Sequence, residues 1–406
     1  MNTIVEDKPI EDKGKAEEAP RLDMMDILAR EGARKMLLSA LEEEVAIFLG
    51  RCRHERSKRE LKGYRNGTRE RKLQVMGTSF DLPIPRVRGC DFHSTLIKPY
   101  QRRSHGVDEL FRQLYVEGLS SRDFEPALRA LIGDAGTLSP STIQRLAGKF
   151  QKELTLFLSR DLSPKQYAYV WADGVYIKAG LDKEKTALLV LVGVTLQGKK
   201  ELISVLEGYR ESRDSWREIW QGVHTRGMKC PWLIIGDGIA GLWDAVAEVY
   251  PQAQDQRCWK HKMVNILDKL PKPKQAEVLE RLRVAYQAKS REEARAHLAL
   301  LVDDLEARYP KAAECAGKDW DALLRYFDFP QAHWVHLKTS NPIESIFSGV
   351  RLRTRVIRRF QRVRTGVAFV FKVLERLSMF WSVIEQPQLL LVWQKQRDKV
   401  QEVAAA

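Results

Sequence analysis

The chain has 406 residues, 44% hydrophobic and 30% charged, enough for two or three domains with a sizeable core, and its five scattered cysteines exclude a disulfide framework. A net charge of +14 with pI near 9.5 favours a polyanionic partner, because lysine and arginine that neutralise phosphates release condensed counterions. Nucleic acid is expected ahead of a membrane surface: no apolar run approaches the roughly 18 residues that span a bilayer, and the N-terminus lacks a secretory apolar region, so a cytoplasmic protein with no membrane partner is expected.

Residues 1–20 mix Asp, Glu, Lys and Pro and read as a disordered tail. The spacing from about Leu22 to Leu49 predicts a helix that ends at Gly50. Between Arg51 and Lys72 stand ten Lys or Arg against three Glu, and Tyr64-Arg65-Asn66-Gly67 reads as a turn before a hairpin of Lys72–Met76 and Phe80–Val87. Arg65 is a candidate contact to a DNA backbone, although a charge run is as often a solvated face.

Residues 107–157 carry a helix-turn-helix pattern. Val107–Glu117 is apolar on one side, Gly118 breaks it, Ser120 with Asp123 forms a capping box for a second helix, and Leu138–Thr142 opens a third through Leu154. On the last helix Ser141, Thr142, Gln144, Arg145 and Lys149 are candidates for phosphate or base contacts, a pattern shared with three-helix units that bind no DNA.

Beyond Gln166 the apolar content predicts strands. Tyr167–Asp173 ends in an acid, with Gly174–Ile177 continuing or turning it; Thr186–Leu196 and Glu201–Tyr209 complete a meander. A helix over Ser212–Val223 buries Trp216, Ile219, Trp220 and Val223, and Trp232–Asp237 is a second apolar strand ending in an acid. A meander followed by alternating helix and strand predicts an α/β mixed sheet with a parallel portion, and Asp173 and Asp237 fall where ligands of such sheets collect.

A third carboxylate opens a different element. Ser340 or Asn341 caps a helix with Pro342 and Glu344 in its first turn and Ile343, Ile346, Phe347 and Val350 on its apolar face. From Arg351 to Arg364 there follow seven arginines and no acid, among them Arg351, Arg353, Arg355, Arg358 and Arg359, candidates for DNA contact. Three carboxylates from separate elements suit divalent cations of the Mg2+ type, which polarise a scissile phosphate, and would otherwise repel one another. No phosphate-cradling Gly-rich loop appears, which disfavours a nucleotide triphosphatase.

Trp171-Ala172-Asp173-Gly174-Val175-Tyr176, Gly236-Asp237-Gly238, Gln256-Arg257-Cys258-Trp259-Lys260-His261 and Ser340-Asn341-Pro342-Ile343-Glu344-Ser345, followed by Arg-x-Arg-Thr-Arg, resemble the mutator-type transposases of bacterial insertion sequences. The resemblance runs over most of the chain and leaves out the two tails. It implies a ribonuclease H-like catalytic core with an all-α insertion, preceded by a mainly α DNA-binding region, in which Asp173, Asp237 and Glu344 are the catalytic and metal-binding triad. The 107 positions from Asp237 to Glu344 fit such an insertion, since residues 273–329 keep helical spacing. It also implies two Mg2+ ions, with Mn2+ as substitute; double-stranded DNA, both element ends and target, as partner; at least a dimer on DNA; and a bacterial, nucleoid-associated location.

The expected organisation is thus a tail (1–20), an N-terminal helix, basic segment and hairpin (21–100), the helix-turn-helix (101–160), the first part of the core (161–272), the insertion (273–336), the Glu344 helix with the basic helices (337–385), and a C-terminal tail (386–406). Cys258 and His261 are expected to brace the strand-to-helix junction or touch DNA, as a structural signature. A structural zinc needs about four ligands, and the nearest candidates in sequence supply no second closely spaced pair; His333 and His336 are possible partners for this pair, and Cys52, His54, Cys90 and His93 for one another. Two other functions are compatible with the composition. A non-catalytic DNA-binding regulator is opposed by acids at all three positions, and a cellular nuclease of the same fold would need no inverted repeats beside its coding region.

Overall fold

A computed structural model describes residues 23–55, 63–75, 78–119, 140–180, 185–208 and 210–405. The expected tail over residues 1–20 and the middle helix from Ser120, and with it the complete helix-turn-helix, lie outside these residues. The chain divides into two units, one of Met1–Gln113 with Ser121–Ile143, the other of Leu114–Ser120 with Gln144–Ala406.

In the first unit, helix α1 (Met24–Leu49) ends on Gly50 in the left-handed conformation, as the sequence predicts. It packs Leu41 against Leu73, Phe80, Leu82 and Ile97 of an antiparallel hairpin, β1 (Tyr64–Val75) and β2 (Thr78–Arg88), and of the loop after it. Glu44 ties that loop to α1 by accepting from Ser94 Oγ, Thr95 Oγ1 and Thr95 N. Tyr64–Gly67 corrects the expected turn: it lies inside β1, where the register slips between Arg65 and Thr68 and Gly67 takes a φ of +67°. A bulge needs one residue in that left-handed region, and Gly67 supplies it at no steric cost.

Helices α2 (His105–Val116) and α3 (Pro140–Ser159) follow at the positions expected for the outer helices of the 107–157 segment.

The second unit is built on a five-stranded mixed sheet. Strands β3 (Tyr167–Ile177), β4 (Thr186–Thr195) and β5 (Lys200–Gly208) form the antiparallel meander; β6 (Leu233–Gly236) and β7 (Gln254–Arg257) add parallel to β3, giving the order β5-β4-β3-β6-β7. The strands read as apolar runs because both faces are covered. Leu188, Val190, Val192 and Val194 of β4 point into one core while Leu189 and Leu191 point into the other, the two-residue alternation of a pleated strand. Trp216, Ile219, Trp220 and Val223 of α4 (Arg213–Thr225) and Leu242, Ala245 and Val246 of α5 (Ala240–Val249) close the second face.

After α6 (Trp259–Leu267) the chain is helical throughout the expected insertion, with α7 (Lys272–Gln287), α8 (Arg291–Glu306), α9 (Pro310–Gly317) and shorter turns to α11 (Trp334–Leu337), α10 being Trp320–Leu323. Buried Gln256 of β7 pins the insertion to the sheet, donating to Leu323 O at 2.9 Å and accepting from Tyr326 N at 2.7 Å.

Helices α12 (Asn341–Ile357) and α13 (Val363–Ser378) cover the first face through Ile343, Phe347, Val350, Phe369, Val370 and Leu374. The expected C-terminal tail is instead a helix, α14 (Gln388–Ala405): Leu390 is fully buried, and Trp393 stacks on Phe329 with centroids 4.9 Å apart. Its segment has a weak amphipathic period, so the helix is held by these two anchors rather than by a continuous apolar stripe.

Candidate functional site

Asp173 and Asp237 come together because β3 and β6 are parallel neighbours. The last paired residues are Trp171 and Ile235, and each acid stands two positions beyond, at the same edge. Each carboxylate turns back to the backbone that follows it, Asp173 Oδ1 accepting from Gly174 N at 2.7 Å and Asp237 Oδ1 from Gly238 N at 2.6 Å. β3 does not end at Asp173 but runs on to Ile177 against β4, so this acid sits in a rigid strand. Burial pushes Asp173 up to about 7, against the Gly174 hydrogen bond and the His261 charge, which both favour ionisation.

Glu344 arrives in the first turn of α12. Ser340 is the N-cap residue, but its side chain makes no capping bond; Ser340 Oγ lies 2.8 Å from Glu344 Oε1 and 3.2 Å from Cys258 Sγ, and Ser340 N donates to the same sulfur at 3.2 Å. The expected cap is therefore spent on aligning Glu344 and Cys258. Burial raises the Glu344 carboxyl, and hydrogen bonds from Lys260 and Ser340 outweigh it, holding the group below the usual carboxylate range.

Cys258 is the N-cap of α6, wholly buried, and its amide donates to Gly236 O at 2.8 Å. The cysteine thus ties β6, α6 and the start of α12 to one another. His261, three residues on, stands between two acids: Nδ1 is 4.0 Å from Asp237 Oδ1 and Nε2 is 3.9 Å from Glu344 Oε1. Its imidazolium is held up to about 9, first by the Cys258 thiol beside it and then by the surrounding negative groups, burial working the other way. His333 and His336 are not part of this cluster. His333 is fully buried with Nδ1 2.9 Å from Tyr169 Oη, and the His336 carbonyl accepts from Trp171 Nε1 at 3.3 Å.

Glu211, which the sequence does not mark, is a fourth carboxylate here. It lies in the loop between β5 and α4, and its own carboxyl is raised, first by burial and further by Asp237, while Tyr176 donates to it. A Cβ at position 174 would stand 2.5 Å from Glu211 Oε1, so Gly174 leaves the space that this carboxylate fills. A search for acids directly after apolar strands passes over Glu211 because it stands three residues beyond the end of β5.

Four carboxylates thus gather beside Lys260 and the His261 ring. The excess of partly buried negative charge fits a divalent cation held by carboxylate oxygens, and Asp173, Asp237 and Glu344 are the residues that would hold it.

The DNA-contact candidates separate by exposure. Arg351, Arg355, Arg358 and Arg359 are exposed at the end of α12 and just after it, Arg359 donating to Gly180 O at 3.1 Å. Arg353 is turned inward, donating to Glu117 at 2.7 Å, and Glu117 also accepts from Arg376. Arg65 is half-buried, 3.7 Å from Glu42 and bonded to Arg51 O. On α3, Arg145 and Lys149 are exposed; Ser141, Thr142 and Gln144 lie in its first turns, their side chains outside the described residues. Among the described residues no helix is long and apolar enough to cross a membrane.

Residues 7–383 match the model of the family described as Transposase, Mutator family. The chain is 42% identical over 284 residues to the transposase for insertion sequence element IS6120 of Mycolicibacterium smegmatis, covering 70% of this chain and 88% of that one. It is 32% identical over 344 residues to the transposase for insertion sequence element ISRM5 of Rhizobium meliloti, covering 84% and 85%. Among solved structures, a chain of a simian T-cell lymphotropic virus intasome complex aligns at 13% identity over 52% of this chain and 65% of that one, with a TM-score of 0.17, too low to bear on the fold.

Proposed function

The chain belongs to the Mutator family of transposases, and from that premise we propose that it binds the terminal inverted repeats of its insertion sequence and catalyses metal-dependent DNA strand cleavage and strand transfer. The observation that carries the reading is the meeting of Asp173 and Asp237, on adjacent parallel strands, with Glu344 from a distant helix around the His261 ring. The strand order, with the acids at the edge of the two central strands, supports a ribonuclease H-like core.

Mg2+, or Mn2+ in its place, supplies Lewis-acid polarisation of the scissile phosphate, activation of the attacking oxygen and stabilisation of the leaving oxygen. The chain's own residues prepare that chemistry. Asp173 and Asp237 present oxygens from a rigid edge, Ser340 and Lys260 orient Glu344, and Glu211 adds negative charge behind Asp173. Transfer of a phosphodiester needs little covalent chemistry from protein, so positioning and charge carry the rate. Water would attack the phosphodiester at a repeat tip and expel the 3′ oxygen as a hydroxyl; that hydroxyl would then attack a target phosphodiester at the same carboxylates, forming the new ester bond as the target strand's own 3′ oxygen leaves. Joining two ends requires at least two copies on DNA, in the bacterial cytoplasm.

The test is a duplex carrying the inverted repeats that flank the coding region. With Mg2+ we expect nicking at the repeat tip and joining to target DNA; equal cleavage of an unrelated duplex, or none of either, sinks the proposal.

Two further outcomes are expected. Glu211→Gln should weaken the apparent Mg2+ affinity of cleavage about 10–100-fold, the usual cost of an outer-shell partner, with a smaller change at saturating Mg2+; an unchanged Mg2+ titration removes Glu211 from the site. The exposed arginines should show in salt dependence. Replacing Arg351 and Arg355 with Ala lowers the slope of log affinity against log salt by roughly one for each phosphate left without its arginine. Arg353→Ala should leave the slope nearly unchanged and lower the melting temperature instead, because its guanidinium is held by Glu117.

A further inference from the structure

The acid set and the cysteine-histidine signature share one residue, Glu344. Among the described residues, the grouping of three Cys, His, Asp or Glu ligand atoms that lie within 4.8 Å of one another is Cys258, His261 and Glu344. This is a different donor set from the all-oxygen one above: a thiolate, an imidazole and a carboxylate. Magnesium does not choose sulfur, whereas zinc takes all three donor types.

The surroundings are those of a ligand site. Cys258 and His261 sit three apart on the first turn of α6, which puts both on one side of the helix, and Glu344 reaches them from the first turn of α12. Ser340 N and Oγ both lie 3.2 Å from Cys258 Sγ, and Ser340 Oγ also reaches Glu344 Oε1, so one residue orients two of the three ligands. Buried His261 Nδ1 has no hydrogen-bond partner. A zinc ion lies about 2.0–2.3 Å from such ligands, which puts tetrahedral neighbours roughly 3.5 Å apart. The three atoms need close by only about an ångström. The fourth position is left to water, as in zinc sites that are not purely structural.

We propose that Cys258, His261 and Glu344 form a zinc site that competes with Mg2+ for Glu344, so that zinc withdraws the third carboxylate from the acid set and silences the protein reversibly. The zinc site itself stands on the three ligands alone; the competition rests on the reading of Glu344 as a Mg2+ ligand.

The test uses the untagged full-length chain, stripped of metal and titrated with Co2+ as a spectroscopic stand-in for zinc. A thiolate-to-cobalt charge-transfer band should appear at one ion per chain, and Zn2+ should displace it. Cys258→Ser should abolish the band, and Cys315→Ser should keep it. Ser340→Ala should weaken Co2+ binding about 10–100-fold while the band persists. No band in the folded wild-type chain, or a band that survives Cys258→Ser, overturns the site. Saturating Mg2+ should raise the Co2+ concentration needed for half-occupancy in the wild type but not in Glu344→Gln; a wild-type titration indifferent to Mg2+ overturns the competition. These readings need no catalysis. If end-containing DNA is never cleaved, the transposition chemistry fails while the cobalt titration still decides the zinc site.

Discussion

Asp173→Asn, Asp237→Asn and Glu344→Gln should each lower Mg2+-dependent cleavage and strand transfer by roughly a thousandfold or more, while binding of the inverted-repeat DNA stays near wild type. The size follows from what a carboxylate ligand does. Metal-borne charge stabilisation is worth several kcal/mol, and about 4 kcal/mol is roughly a factor of a thousand in rate. The amide replacements keep shape, and Asn at 173 or 237 still accepts from the following glycine amide through its carbonyl oxygen. The separation from binding follows because the exposed arginines at the end of α12 and the exposed Arg145 and Lys149 of α3, which would carry the phosphate contacts, are left in place by these substitutions. The check is a single-turnover assay on end-containing duplex beside a gel-shift titration. Retained strand transfer in the Glu344→Ala protein would remove that residue from the triad.

The second large effect is on stability, and its sign is unusual for an aspartate. Asp173 titrates near 7 in the folded chain, against 3.8 for a free side chain. Between those values the folded state binds more protons than the unfolded state, so stability falls as pH rises from about 4 through 7, and the loss is complete above 7. Asn cannot ionise. Asp173→Asn should therefore melt close to wild type near pH 4 and progressively above it toward pH 8, with a plateau beyond. The gain at pH 8 is on the order of 2–4 kcal/mol, or about 2–5 °C in melting temperature for a chain of this size. Saturating Mg2+ should narrow the gap, because an ion bound by the ionised carboxylates stabilises the wild-type fold. Scanning calorimetry from pH 5 to pH 8, with chelator and with Mg2+, reads both. A gap independent of pH would show that Asp173 is not strained by its burial.

This destabilisation is what the metal-binding role proposed for the site would require. A buried carboxylate near others costs folding free energy, and it persists where ionised oxygens are needed at a fixed place. The surroundings offset part of the charge through His261 and Lys260, and both of these contact Glu344 or Asp237. An imidazolium thus stands between Asp237 and Glu344.

Where the chain was legible, local chemistry carried the signal. The strands over 167–177, 186–195 and 200–208 are continuous apolar runs because both sheet faces are covered, and the insertion keeps helical spacing along its length. Asp173 and Asp237 each follow a short apolar run and Glu344 stands in the first turn of a helix that starts at Ser-Asn-Pro, positions that mark an acid without knowledge of its partners. Where it was not legible, the deciding contact came from elsewhere. Gly67 looks the same in a turn and in a bulge until β2 supplies the register. The last helix was hidden because its anchors, Leu390 and Trp393, find their partners in the insertion and core.

The sequence by itself determined the apolar strands, the three acids, the helical insertion and the arginine run, since each is written in periodicity or in a residue next to an element's end. Only the tertiary structure decided which of these meet. It set Glu211 behind Asp173, turned Arg353 away from the other arginines onto Glu117, and brought Cys258 and His261 to Glu344, with Ser340 82 positions from Cys258 in the chain. The physical reason is the same in each case: a charge or a thiol has one local appearance whether it faces water, a phosphate or a partner, and the choice is made by which distant element the packed core sets beside it.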